Sequence, residues 1–396
     1  MISESKTDRE RRFWIIILGA GFSSPAGLPL ANELFKEVRK RARAHFGSDN
    51  AIETELDYFV KYKRRCDGID VPRDDVDYEE FLGFLDAEHA LGFRGGDTIT
   101  LEGNAAQLIV KKLIGILLQE RSPRSVADIP SLYLQFAERL RPSDWVLTFN
   151  YDTLLESALT AVGRPFRLFP HRYAYVIPQS GYGVSDISQE EITVLKLHGS
   201  IDWFDKTPYD ESVKAVGDPT YVPRWYSHFA PHSPYDLSPL LEGPQMPDDP
   251  MRNIYRMRDV GKYYSQAFVP QPPIILTPSV NKLLYFEPLK SLWWGIGMGG
   301  GLNLGMAIIG YSLPPNDEHA RQAIYRLTDN YTRFEPDLTI GGVKKLPLRI
   351  VNLACGEERV RKFWASRYRF LDPKRAAVWL DGFNRDSLDF IFGERA

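Results

Sequence analysis

Cysteine is almost missing from this chain. Two residues in 396, Cys66 and Cys355, cannot build a disulfide framework or a four-thiolate zinc site, and they suit a reducing cytoplasm. Charge of one sign is missing too. A formal net charge of −3 indicates neither general nucleic-acid affinity nor attraction to a membrane surface. Basic clusters occur only locally, at Arg9 to Arg12, Lys36 to Arg43 and Lys61 to Arg65. Solvated helix faces are their ordinary explanation, and a partner or phosphate surface is the other. A signal peptide is not expected, because the apolar run Phe13 to Leu18 is short and passes directly into glycines. The one uncharged stretch of spanning length, Trp293 to Leu313, is broken by Gly295, Gly297, Gly299 to Gly301, Asn303 and Ser312. That pattern predicts a helix end, a loop and a buried strand rather than a membrane span. No internal repeat, low-complexity tract or acidic cluster with metal spacing stands out.

What the chain does have is apolar material, 43% with 13% aromatic, enough for one large domain or two modest ones. Its organising stretch is Leu18-Gly19-Ala20-Gly21-Phe22-Ser23-Ser24, which follows the apolar run Phe13 to Ile17. A buried strand that enters two glycines and two serines ahead of a helix makes an anion-binding corner in an open α/β sheet. The dinucleotide fingerprint of dehydrogenases asks for a third glycine where Ser24 stands. It also asks for an acid about twenty residues on, where this chain has the basic segment Lys36 to Arg43. A hydride-transferring dehydrogenase is therefore disfavoured.

Leu30, Leu34, Val38 and Ala42 recur at helical spacing after Pro25 and Pro29. The pattern stays helical from 52 to 141, divided by loops around Arg64 to Asp77 and Gly92 to Gly103. A helical module inserted between the first and second strands is the expected reading. The second strand, Trp145 to Phe149, ends at Asn150-Tyr151-Asp152 and leads into a helix from Thr153 to Val162. A third, Val194 to Leu197, ends at His198-Gly199. Residues 205–272 show no sustained period and read as an irregular insertion. Further strands are expected at Ile274 to Thr277, at Leu304 to Ile309 before Gly310-Tyr311-Ser312, and at Leu348 to Asn352. A helix from Asp317 to Leu327 would be capped by Asn316, and a final pair of helices closes the chain. The alternation predicts an α/β fold with a Rossmann-like, mainly parallel sheet and a ligand across the carboxyl ends of its strands. Divided on this basis, residues 1–51 open the nucleotide-binding domain, 52–141 form the helical module and 142–396 complete the domain.

The polar residues at strand ends are the candidate site, and each also has an ordinary explanation. Asp152 fits an N-cap, while Asn150 beside a nucleotide could hold a ribose or a water. His198 is the only one of seven histidines at a strand's carboxyl end with a glycine behind it. A structural imidazole is its default role; near-neutral titration would also suit a general base. Gly310, Ser312 and Asn352 could form the far wall, and turn chemistry explains them nearly as well. His171, His228 and His232 have no acid spacing that suggests a metal.

In order, Gly19-Ala20-Gly21-Phe22-Ser23, Phe149-Asn150-Tyr151-Asp152, Leu197-His198-Gly199, Gly310-Tyr311-Ser312 and Val351-Asn352 resemble the sirtuin superfamily, and more narrowly the sirtuin-like domains of bacterial antiphage defence. The resemblance implies that NAD is bound and its nicotinamide–ribose bond cleaved. Gly19, Ala20, Gly21, Phe22 and Ser23 would then form the cofactor-binding turn. Asp152 would meet the carboxamide, Asn150 the ribose or attacking water, and His198 would be the base; Gly310, Ser312 and Asn352 would flank the adenosine half. Two departures matter: no cysteine lies between Ile201 and Tyr285, where protein deacylases carry a zinc module, and Leu28 to Asn32 replaces their phenylalanine–arginine pair. Water rather than an acyl group is then the expected nucleophile, with ADP-ribose and nicotinamide as products and no metal. The resemblance further implies a cytoplasmic homo-oligomer, with a HerA-like ring ATPase as a partner. Residues 205–272 and the charged N-terminus are the candidate contacts. A non-catalytic NAD or ADP-ribose sensor and a zinc-less deacylase are the competing readings.

Overall fold

The computed structural model describes residues 13–95, 103–218, 220–266, 269–277, 279, 281, 287–340 and 342–393. Arg9 to Arg12, and with them the charged N-terminus, lie outside these residues, as does most of the Gly92 to Gly103 loop. Trp14-Ile-Ile-Ile-Leu18 is apolar at every position and buried at every position, as a strand covered on both faces must be. It forms β1 (Trp14–Leu18). Six more strands join it: β2 (Trp145–Thr148), β3 (Phe166–Arg167), β4 (Ile192–Lys196), β5 (Gly305–Ile309), β6 (Leu348–Val351) and β7 (Ala376–Trp379). Their order is β7-β6-β5-β1-β2-β4-β3, and all pairings are parallel. This is the Rossmann-like α/β sheet the sequence leads one to expect.

Topology decides where a ligand can sit. From β1 the chain builds outward on one side through β2 and β4, then returns to the other side of β1 to begin β5, β6 and β7. The strand order therefore reverses at β1, and a crevice opens beyond its carboxyl end. In register, Leu18 lies beside Ile309 on one side and Thr148 on the other. The residues that follow these three strands are thus brought to one place.

Between β1 and β2 lie α1 (Ala20–Ser23), α2 (Ala31–Phe46), α3 (Ala51–Tyr62), α4 (Tyr78–Ala90), α5 (Ala105–Arg121) and α6 (Ser131–Arg139). Beyond β2 come α7 (Leu154–Ala161), α8 (Glu318–Arg333) and α9 (Arg385–Phe392). Ile52, Leu56 and Phe59 of α3 and Phe81 and Leu85 of α4 are all buried, and the rings of Phe59 and Phe81 meet edge-on at 5.6 Å. The basic segment of α2 is not simply a solvated face. Arg39 is 5% exposed, its guanidinium donating to both oxygens of Glu53 on α3, and Arg43 reaches the same carboxylate.

Several elements depart from the sequence reading. Ile274 to Thr277 is not a sheet strand: Ile275 makes an isolated antiparallel bridge to Gly199 and the segment runs beside 198–203. Strands β3 and β7 were not expected, because one has two residues and the other is only partly buried. As a result the final two helices, Arg359–Trp364 and α9, are separated by β7. Residues 205–272 contain order after all, since Trp203–Asp205, Ile254–Met257 and Leu237–Pro239 form a small antiparallel sheet. Strands of three or four residues are too short to show a period. The stretch from Trp293 to Leu313 contains a helix end, a 3-10 turn and β5. Among the described residues no helix is long and apolar enough to cross a membrane.

Candidate active site

The glycine turn is locked against the end of β5. Gly19 N–H donates to Ile309 O at 2.9 Å and Gly21 N–H to Gly310 O at 2.9 Å. A Cβ on Gly21 would lie 2.8 Å from Gly310 Cα, and one on Gly310 would lie 2.3 Å from the carbonyl carbon of Gly21. Gly310 also has φ +63, the left-handed region that glycine adopts without steric penalty. Two strand ends therefore interlock through backbone alone, and Gly310 supplies from β5 a close approach that the turn's own sixth position, Ser24, does not. Phe22 points away from the crevice. Its ring sits 4.8–5.2 Å from those of Tyr133, Phe136 and Phe383 and anchors the turn to the core.

Asn150 follows β2 and holds this turn from the other side. Its Nδ2 donates to Gly19 O at 3.0 Å and Ser23 Oγ at 3.1 Å. Asp152 is buried, and its Oδ1 accepts from Leu154 N–H at 3.0 Å, satisfying an otherwise orphaned donor at the head of α7. Its backbone carbonyl accepts from Lys196 Nζ, and the same ammonium meets Glu156 of α7 at 2.7 Å. Burial pushes the Glu156 carboxyl above its ordinary range, while Lys196 beside it pulls the other way.

His198 is 3% exposed and enclosed by aromatic rings, with Phe149 edge-on at 5.0 Å and Trp293 stacked at 6.3 Å. Its carbonyl accepts from Leu276 N–H, and Gly199, at φ +80, allows Ile274 O to approach where a Cβ would lie only 2.1 Å away. The misread segment at 274–277 is thus a backbone splint for the histidine. On the ring side, Nε2 lies 3.2 Å from Oδ2 of Asp317, which is fully buried and also accepts from Tyr311 Oη at 3.0 Å. Asp317 caps α8, accepting from Ala320 N–H, so the capping role assigned to Asn316 belongs to its neighbour. The Tyr311 ring stacks on Phe149 at 4.4 Å.

These groups surround a cleft of about 760 Å³. Ala20, Gly21, Ser23, Asn150, Asp152, His198, Gly310, Ser312 and Asn352 line it, whereas Gly19 and Phe22 support it from behind. The sequence reading missed Asp317, Tyr311 and Arg367, which also line it. Helical spacing alone makes Asp317 the first helical residue, and only its capping chemistry draws attention to it. Arg367 donates to the carbonyl of Leu313, a buried residue held at φ +51 in the loop after Ser312. Burial pushes the phenols of Tyr78, Tyr151 and Tyr311 well above their ordinary range, with nearby carboxylates including Glu79 and Asp317 adding to it. All three are therefore neutral hydrogen-bonding groups at physiological pH. Among the described residues no three histidine, cysteine, aspartate or glutamate side chains converge as a metal site would require.

Residues 144–221 match the model of a family described as SIR2-like domain, a segment that carries Asn150, Asp152 and His198. That match supports a sirtuin-like superfamily. No curated protein matches the chain. Similar solved structures include one described as "Sir2-p53 peptide-NAD+", 13% identical with a TM-score of 0.33, covering 99% of this chain and 98% of the other. Another, "Structure of Sir2Tm bound to a propionylated peptide", is 12% identical with a TM-score of 0.31, covering 97% and 93%.

Proposed function

We propose that the protein is an NAD+ glycohydrolase, converting NAD+ and water to ADP-ribose, nicotinamide and a proton. The observation that carries this reading is the convergence of the glycine turn, Asn150 and His198 on one cleft of about 760 Å³ at the sheet's switch point. Ala20, Gly21 and Ser23 would line the pyrophosphate, the N–H groups of Gly21 and Phe22 being given to Gly310 O and Gly19 O, with Gly310, Ser312 and Asn352 along the adenosine half. Asp152, whose Oδ1 caps α7, would turn its second oxygen to the carboxamide. Asn150 would order the ribose or the water, reaching it from the amide that now grips Gly19 and Ser23.

The chemistry asks little of the protein beyond placement and charge. The ribose C1′–N bond breaks with its electron pair moving to nicotinamide, which neutralises the pyridinium nitrogen. A water oxygen bonds to C1′, and its proton passes to His198 and then to solvent. The enzyme's contribution is to position water and to stabilise the cationic ribose as it forms. The resemblance to defence-type domains extends this reading to an antiphage effector that depletes NAD+, restrained by homo-oligomerisation or by a HerA-like ring ATPase.

Incubating the chain with NAD+, with and without an acetylated peptide, tests the proposal through nicotinamide release. Peptide-independent release is expected, and His198→Ala should abolish it in a protein that still melts cooperatively, at a lower temperature because a buried ring beside Asp317 is lost. Binding without turnover in every assembly state would identify a sensor, and release only with peptide would identify a deacylase; either result overturns the hydrolase.

A further inference from the structure

We propose that Asp317 is the positioning residue of this site, holding His198 in the tautomer protonated at Nε2 and stabilising its imidazolium. The inference rests on the NAD-cleaving reading for its catalytic consequence, while the pairing itself rests on geometry. A carboxylate that is fully buried needs donors to remain charged. Asp317 has them: the Tyr311 hydroxyl at 3.0 Å, the Ala320 N–H at 3.3 Å and the His198 ring at 3.2 Å. It also stands at the positive end of α8, a helix of 16 residues, where an anion is favoured.

The charged and titratable groups around the pair come from every element that packs there. Tyr311 follows β5, Tyr151 follows β2, and Tyr78 with Glu79 opens α4. The three phenols are neutral, and the Asp317 carboxylate lies in contact with the imidazole. When His198 takes the proton of the attacking water, the positive charge forms 3.2 Å from this anion. A histidine buried among Phe149, Tyr151 and Trp293 without such a partner would resist protonation.

Asp317→Asn tests the role, because its one amide oxygen can still cap α8 at the Oδ1 position, while the position facing Nε2 becomes an uncharged NH2 donor that cannot accept from Nε2–H. Uniformly labelled histidine in the full chain without nucleotide would be titrated by NMR, the His198 signal being the one missing from His198→Gln. In Asp317→Asn it should titrate at least about one pH unit lower. With NAD+ present, kcat should fall about tenfold to a hundredfold with KM nearly unchanged, and the acid limb of the pH profile should move to lower pH. Tyr311→Phe, which keeps the ring stack but removes a donor from Asp317, should move the His198 titration upward. Unaltered titration in either variant overturns the proposal. The NMR result stands even if the wild-type protein cleaves no NAD+, so failure of the hydrolase reading is recognised separately.

Discussion

A single atom decides much at this site. Gly310→Ala would place Cβ 2.3 Å from the Gly21 carbonyl carbon and force a non-glycine residue to φ +63. The expected outcome is a destabilisation of about 2–4 kcal/mol in denaturant melts together with loss of nucleotide binding. Asn150 carries a different lesson. Read from sequence it is a candidate for ribose or water, yet the structure also gives it two hydrogen bonds that shape the glycine turn. Asn150→Ala should accordingly raise the Kd for NAD+ as well as lower turnover, at a stability cost of about 1–2 kcal/mol. Unchanged nucleotide affinity in calorimetry would show that the turn keeps its shape without that side chain. The residue identities were legible because buried parallel strands confine polar groups to their ends. Their hydrogen-bond partners were not, since Gly19 and Asn150 are remote in sequence.

At the scale of elements, β4 and α7 are fastened by the buried pair of Lys196 and Glu156. This joins the strand that ends in His198 to the helix that follows Asp152. Lys196→Met leaves Glu156 buried without its partner and should cost about 3–5 kcal/mol, whereas Lys196→Met with Glu156→Leu should recover part of that loss in the same melts, the Asp152 carbonyl still lacking the Lys196 donor. The strands themselves divide by burial. β1 and β5 announce themselves as continuous apolar runs and β2, β4 and β6 as mostly apolar ones that include Thr148, Thr193 with Lys196, and Arg349, while the two residues of β3 and the partly exposed Ala376 to Trp379 of β7 do not. Ile274 to Thr277 has a strand's composition, but its hydrogen bonds go to residues 198–203 instead of the sheet. Composition predicts extended backbone, and only the surrounding chain determines which neighbour it pairs with.

For the whole molecule, the response to acid should carry the mark of His228. Burial among Phe204, Phe229 and Tyr263 lowers its pKa from 6.5 to about 4, against a hydrogen bond to Gln271 that raises it. The unfolded chain therefore binds the proton first as pH falls, so stability declines between pH 6.5 and about 4 and this contribution is fully present above 6.5. The difference amounts to about 3 kcal/mol at most. Urea melts of His228→Gln across this window should show a shallower slope than wild type, and parallel slopes would contradict the assignment. By itself the sequence determined the class of fold, the place of the glycine turn and several of the polar residues that line the cleft. Those follow from local rules: apolar runs become buried strands, and glycine and polar residues gather where such strands end. Tertiary structure alone decided that Gly310 interlocks with Gly21, that Asn150 grips the turn, and that Asp317 meets His198. Each of those contacts depends on the order and register of β1, β2, β4 and β5, which pack residues far apart in the chain within hydrogen-bonding distance and which no local pattern encodes.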